Sequence, residues 1–170
     1  MTAKIHHRAL GFVIALLIFA IDQASKFAII HTLALESRQV ITLSPILNLS
    51  WVENHGISLG MFTADSAEQR WILVAMTALI ALGVSYWMLR ERMRADVYAL
   101  ALVLGGAIGN ITDRTRFGYV VDFIDLHFGA FRPFLVFNVA DAAITIGVLI
   151  LLVRAFFTTN KMKNGDTEHA

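Results

Sequence analysis

The sequence predicts an all-α integral membrane protein, a bundle of four transmembrane helices with a small β element outside the bilayer. Three observations carry this reading. Hydrophobic residues make up 57% of the chain and charged ones only 16%, with a mean hydropathy of +0.65, whereas a water-soluble domain is roughly 45–50% apolar and about 25% charged. Apolar stretches recur along the chain, most of them close to the ~20 residues that cross a ~30 Å hydrocarbon core as a helix. The basic residues collect at alternate ends of those stretches, the asymmetry that sets orientation in a membrane.

The first span covers about residues 10–30, long enough at about 1.5 Å per residue to cross the bilayer. Lys4, His6, His7 and Arg8 ahead of it resemble the charged start of a secretory signal, but the apolar run is long and further spans follow, so it reads as a retained helix. Asp22 and Lys26 lie near its far end. In the connection that follows, Val40, Thr42, Ile46, Leu47, Leu49, Trp51 and Val52 form a β-prone stretch interrupted by Pro45, which predicts a small sheet on the membrane surface. Asn54, Gly56 and Gly60 supply turn chemistry, and Ala67 to Arg70 form a helical lead-in to a second span at about residues 71–89. The third span, about residues 97–111, is short, and its Gly105, Gly106 and Gly109 allow a neighbouring backbone to approach closely. The fourth is expected over about residues 134–157.

Lys4 and Arg8, then Arg90, Arg92 and Arg94, then Arg154, Lys161 and Lys163 flank the spans so that all three clusters belong in the cytoplasm. Both termini then face inward, and the longer connections face outward. The expected organisation is one membrane-embedded domain over residues 1–158 and a flexible cytoplasmic tail over residues 159–170. The chain has no cysteine, which excludes disulfides, thiolate catalysis and cysteine-based metal sites. Its histidines lack metal-ligand spacing, so no metal or other cofactor is expected. Nothing in the charge pattern suggests nucleic acid.

An ionisable side chain costs at least about 2.5–3.5 kcal/mol at the centre of a membrane helix, so those retained need a reason. Here they gather at one level: Asp22 and Lys26, Asp113 and Arg114, Asp122 and Asp125, then Asn138 and Asp141. Asn138, Asp141 and Thr145 share one helix face by their spacing. Asp122 sits between Val120, Val121 and Phe123, an apolar setting in which a carboxyl pKa responds to burial. Two carboxylates meeting in one pocket cannot easily both ionise, so one proton is held between them. The anionic member can then activate water while the protonated member donates to a peptide carbonyl, the logic of aspartic proteases. From the residues alone, Asp125 competes with Asp122 for this role.

Plainer readings stand beside these. Asp22 with Lys26 has the spacing of an intrahelical ion pair. Asp113 with Arg114 suits a helix-end pair anchoring the outer loop, or an Arg114 that binds a lipid head group or substrate backbone. Asn138 suits a helix cap as well as a substrate contact. A rival function is a small transporter or channel subunit using the carboxylates as a proton relay. That would need polar groups through the full membrane depth, and the inner halves of the first, second and fourth spans are almost wholly apolar. A non-catalytic assembly factor built on the glycine face would not require paired aspartates.

Five stretches occur in order and in register with the spans: Asp22-Gln23-Ala24-Ser25-Lys26, Asn54-His55-Gly56, Gly105 to Arg114, Val120-Val121-Asp122-Phe123 and Phe137 to Asp141. Together they make the chain resemble the lipoprotein signal peptidase family, signal peptidase II. The resemblance implies an aspartyl endopeptidase that removes the signal peptide from bacterial prolipoproteins, cutting on the N-terminal side of a diacylglyceryl-modified cysteine. It implies Asp122 and Asp141 as the catalytic pair, deciding against Asp125, with Asn54, Gly56, Asn110, Asp113, Arg114, Asn138, Asp22 and Lys26 binding substrate or supporting the site. It further implies a monomer in the bacterial inner membrane, in contact with membrane lipid and inhibited by globomycin-type peptides, with its site near the periplasmic face. The β-prone segment would then clamp the signal peptide, with Trp51, Phe62 and Trp71 at interfacial depth.

Overall fold

The computed structural model describes residues 2–57, 62–63 and 67–165. Gly60, expected to add turn chemistry, and the last five residues of the tail lie outside them, as does the side chain of Phe62. Among the described residues, four helices are long and apolar enough to cross a membrane: His7–Thr32, Glu68–Arg90, Arg94–Arg116 and Val139–Phe157. The first consists of α1 (Thr2–Phe27) and a π-helical turn, Ala28–Thr32, that ends it. A single turn, α2 (Leu35–Arg38), follows, and the remaining spans belong to α3 (Ala67–Arg90), α4 (Arg94–Arg116) and α5 (Val139–Gly165).

Helix α4 is the axis of the bundle and packs against α1, α3 and α5. Small residues make this possible. A Cβ on Gly105 would stand 2.5 Å from the Ala15 carbonyl oxygen of α1, and one on Gly106 would stand 2.8 Å from Ile144 Cγ1 of α5. In a bilayer, where lipid is as apolar as leucine, such close backbone approach supplies the packing that association needs. Ala15, Ala81, Met88, Val97, Leu100, Ala101 and Leu104 fill the space between the helices, while Leu16, Leu79 and Leu152 face outward.

Two helix boundaries differ from the sequence expectation. The third span runs to Arg116 rather than about residue 111, because Asp113 and Arg114 are buried with polar partners and the helix carries them inward. The fourth begins at Val139 rather than about residue 134. Residues ahead of it are held extended, since Phe137 donates to the Ile124 carbonyl at 3.1 Å and accepts from the Ile124 N–H at 2.7 Å. At the other end α5 stays helical to Gly165, so the polar tail begins as further helical turns.

The outer element is a three-stranded antiparallel sheet in the order β1-β2-β5. β1 (Val40–Ser44) and β2 (Leu47–Asn54) pair antiparallel on either side of Pro45, within the stretch expected to form a small sheet. A short pair, β3 (Gly56–Ile57) with β4 (Phe62–Thr63), lies beyond. β5 (Val120–Leu126) adds a third strand that the sequence reading took as an apolar patch. Its first four residues are all buried, so the alternation that marks a half-exposed strand is missing. Val52 pairs with Asp122 and Asn54 with Val120. Ile29, Leu35, Val121 and Phe123 form the apolar cluster that seats the sheet on the bundle.

Candidate active site

Asp22, Lys26, Asn110, Asp113, Arg114, Asn138 and Asp141 converge where the sheet meets the helix ends, whereas Thr145, expected on the same helix face as Asn138 and Asp141, is exposed. Asn138 organises the convergence. It precedes α5, and its Oδ1 accepts the Asp141 N–H at 2.9 Å while Asp141 Oδ2 accepts the Asn138 N–H at 3.2 Å. This is a reciprocal capping box, which satisfies two N–H groups at a helix start. The Asn138 amide also donates to Asp122 Oδ1 at 2.6 Å. One residue therefore touches both carboxylates, and it caps α5 as one of its two readings expected.

Asp122 is 2% exposed and accepts a second hydrogen bond, 3.0 Å, from Asn54 Nδ2. Burial pushes its carboxyl up from the ordinary 3.8 to about 7, with the charge of Asp141 adding to the rise and the Asn54 and Asn138 hydrogen bonds opposing it. Asp141 Oδ1 accepts from Asn110 Nδ2 at 2.8 Å. Asp125 differs. Three residues along β5 it points to the opposite face, where Arg132 Nε donates at 3.1 Å and Ser50 Oγ at 3.1 Å. Burial raises its pKa, but these hydrogen bonds prevail and hold it below the usual carboxylate range.

Behind the two carboxylates lies a buried ionic seam. Lys26 Nζ sits 2.9 Å from Asp22 Oδ2 and 2.6 Å from Asp113 Oδ2, and donates to Asn110 Oδ1 at 3.3 Å. The expected intrahelical pair thus exists and extends across to α4. Asp22 Oδ1 accepts the Ala140 N–H at 3.0 Å, so a side chain of α1 caps the first turn of α5. Gly109 makes the room: a Cβ there would stand 2.5 Å from Asp22 Oδ2. Asp113 Oδ2 also accepts the Val121 N–H at 3.2 Å, fixing β5 to α4.

Asp113 and Arg114 point apart instead of pairing with each other. Arg114 Nη2 donates to the Gly56 carbonyl at 2.8 Å, and the Gly56 N–H donates to Asn54 Oδ1 at 3.1 Å. Arg114 therefore steadies the turn that aims Asn54 at Asp122. Gln23 was overlooked as a contributor. Its amide donates to Asp113 Oδ1 at 2.9 Å and to Asp22 Oδ2 at 3.2 Å, linking the same two acids that Lys26 bridges. A polar amide beside Asp22 inside an apolar run was the available signal.

Fold and site define a multi-pass membrane protein with a carboxylate pair, one member buried and the other half-buried, at one end of its bundle. The family model described as signal peptidase (SPase) II matches residues 14–157. A lipoprotein signal peptidase of Rhizorhabdus wittichii is 58% identical over 153 residues, covering 90% of this chain and 89% of the relative. One from Sphingopyxis alaskensis is 50% identical, covering 98% and 96%. A solved bacterial membrane enzyme superposes with a TM-score of 0.78 at 26% identity, covering 90% of this chain and 91% of the other. The chain belongs to the signal peptidase II family, and is a membrane peptidase.

Proposed function

We propose that this peptidase removes the signal peptide from prolipoproteins by a metal-free aspartyl mechanism, with Asp122 and Asp141 as the reacting carboxylates. The observation that supports this most is the linking of the buried Asp122 and the half-buried Asp141 through one asparagine, Asn138, which donates to Asp122 and exchanges capping hydrogen bonds with Asp141. Asp122, raised to about 7, suits the member that holds the shared proton near neutral pH. The ionised member takes a proton from water, the oxygen attacks the scissile carbonyl, and the protonated member donates to the carbonyl oxygen. Collapse of the tetrahedral intermediate breaks the C–N bond and returns a proton to the leaving amine. The two carboxyls are coupled, so the state of Asp141 adds to the hold of Asp122 on that proton.

Position at the bundle end suits the substrate. A cysteine carrying a diacylglyceryl group brings its acyl chains sideways from the bilayer, while the peptide bond must meet water. The bond cut is the one on the N-terminal side of that cysteine. In this reading Asn110, Asn138 and Asn54 hold the carboxylates, Arg114 and Gly56 hold Asn54, and Asp22, Lys26, Asp113 and Gln23 fix the helix ends. The enzyme works as a monomer in the inner membrane, with both termini cytoplasmic, the pair near the periplasmic face and residues 1–158 as its one domain. Globomycin-type peptides inhibit it by occupying the same site.

The test is cleavage of a purified prolipoprotein in detergent with a metal chelator present, with and without the diacylglyceryl group on its cysteine. The expected result is cleavage of the modified substrate alone, with the modified cysteine as the new N-terminus. Loss of activity in chelator that returns with added metal would reject the metal-free mechanism.

A further inference from the structure

Between β5 and α5 the chain makes a second hairpin with no part in the carboxylate site. Phe128 and Phe131 exchange both backbone hydrogen bonds, at 2.8 and 3.2 Å, around a two-residue turn whose Gly129 has φ +62°. Glycine at the first turn position is what such a tight hairpin requires. Directly opposed residues send their side chains to the same face, so the two phenylalanines project together. Arg132, next along, points to the other face and binds the buried Asp125. The hairpin is therefore clasped to the sheet on one side and apolar on the other.

Phe128, Phe131, Phe134 and Leu135 are between 58% and 66% exposed, matching the lipid-facing Leu16 at 63%. Ile46, also exposed, adjoins them, since its carbonyl accepts the His127 N–H at 3.0 Å. Scattered surface apolar residues mean little, but a contiguous group does. Its position names the occupant. The span Val139–Phe157 has 19 residues, roughly 28 Å of helix against a hydrocarbon core of ~30 Å. Beyond Phe157 α5 continues into the polar sequence Thr158, Thr159, Asn160 and Lys161, which belongs outside the hydrocarbon, so the residues just ahead of Val139 lie close to its other boundary, continuous with the lipid-facing surface of α5.

We propose that the hairpin 128–135 is immersed in the outer leaflet, with Phe128, Phe131, Phe134 and Leu135 among the acyl chains and Asp125–Arg132 holding it to the sheet. Immersion fixes the height of β5, and with it Asp122, above the membrane plane.

The chain lacks cysteine, so single spin labels can be placed cleanly. Phe131→Cys and Ala130→Cys, each labelled and reconstituted in phosphatidylcholine–phosphatidylglycerol vesicles, would be compared with Leu16→Cys and Glu36→Cys. Power saturation with oxygen, which concentrates in lipid, and with a water-soluble nickel chelate reads the depth. The expected result is oxygen favoured over nickel at both hairpin sites, with the same sign as at Leu16 and a smaller magnitude. Nickel access equal to that at Glu36 would overturn the proposal. So would low access to both reagents, and spin–spin broadening between labels would then identify a second copy of the chain as the occupant.

Discussion

Two aspartates three residues apart on one strand have opposite fates, and the cause lies in what faces them. Asp125 meets a guanidinium and a hydroxyl; Asp122 meets two amides and another carboxylate. The contrast leads to a pH prediction. A working pair needs one proton, and the raised member loses it as pH climbs through about 7, so kcat/KM should fall on the alkaline side of that value. Asn54 donates to the charged form of Asp122 and so lowers its pKa. Asn54→Ala should therefore move the alkaline limb upward, by roughly half to one pH unit, given about 1 kcal/mol for a hydrogen bond and ~1.4 kcal/mol per unit. A pH–rate profile reads this as a midpoint, separately from any fall in amplitude. Lys26 provides a second residue-scale prediction. It stands between two buried carboxylates, and removing one partner of a buried pair costs about 3–5 kcal/mol. Lys26→Met should lower the thermal midpoint in detergent markedly, and adding Asp113→Asn should recover part of the loss; an unchanged midpoint would mean that the seam contributes nothing to the fold.

Among the elements, α4 decides how closely the bundle closes. A methyl on Gly105 would meet the Ala15 carbonyl at 2.5 Å, whereas one on Gly83 of α3 meets nothing within 4 Å. Gly105→Ala should destabilise by about 1–3 kcal/mol through overpacking, while Gly83→Ala should stay within about 0.5 kcal/mol of the parent. Denaturation of both variants in the same detergent would check the difference. The sequence disclosed the spans because twenty-residue apolar runs admit few other readings. It disclosed β1 and β2 through β-branched residues around Pro45. β5 was hidden because Val120, Val121, Asp122 and Phe123 are all buried and show no alternation. The start of α5 was misplaced because Phe134 and Leu135 are apolar enough to pass for helix, and only the pairing of Phe137 with Ile124 ends the extended segment.

At the scale of the whole molecule, the carboxylates occupy one end of the bundle and the apolar cluster of Ala15, Met88, Val97, Leu100 and Leu104 separates them from the other. At that far end, Arg8 binds the Glu91 carbonyl and Arg154 binds Asp96, tying helix ends and loop together. Among the described residues the buried polar side chains lie towards the ends with this apolar cluster between them, an arrangement that favours a site over a proton relay. The sequence could place the acids at one level but not pair them. Asn54 and Asp122 are 68 residues apart, and their contact depends on strands that meet only in the folded chain. The i, i+3 relation of Asn138 to Asp141 was legible because it is local to one helix; the reach of Asn138 to Asp122 was not.

The most direct test of the paired-carboxylate account is turnover of a diacylglyceryl-modified prolipoprotein by the wild type, Asp122→Asn and Asp141→Asn, each shown to be folded in detergent. The account predicts that either substitution lowers kcat by at least the 10²–10⁴-fold typical of losing an acid–base group, with inhibitor-peptide binding retained. Near-wild-type turnover by either variant would contradict it.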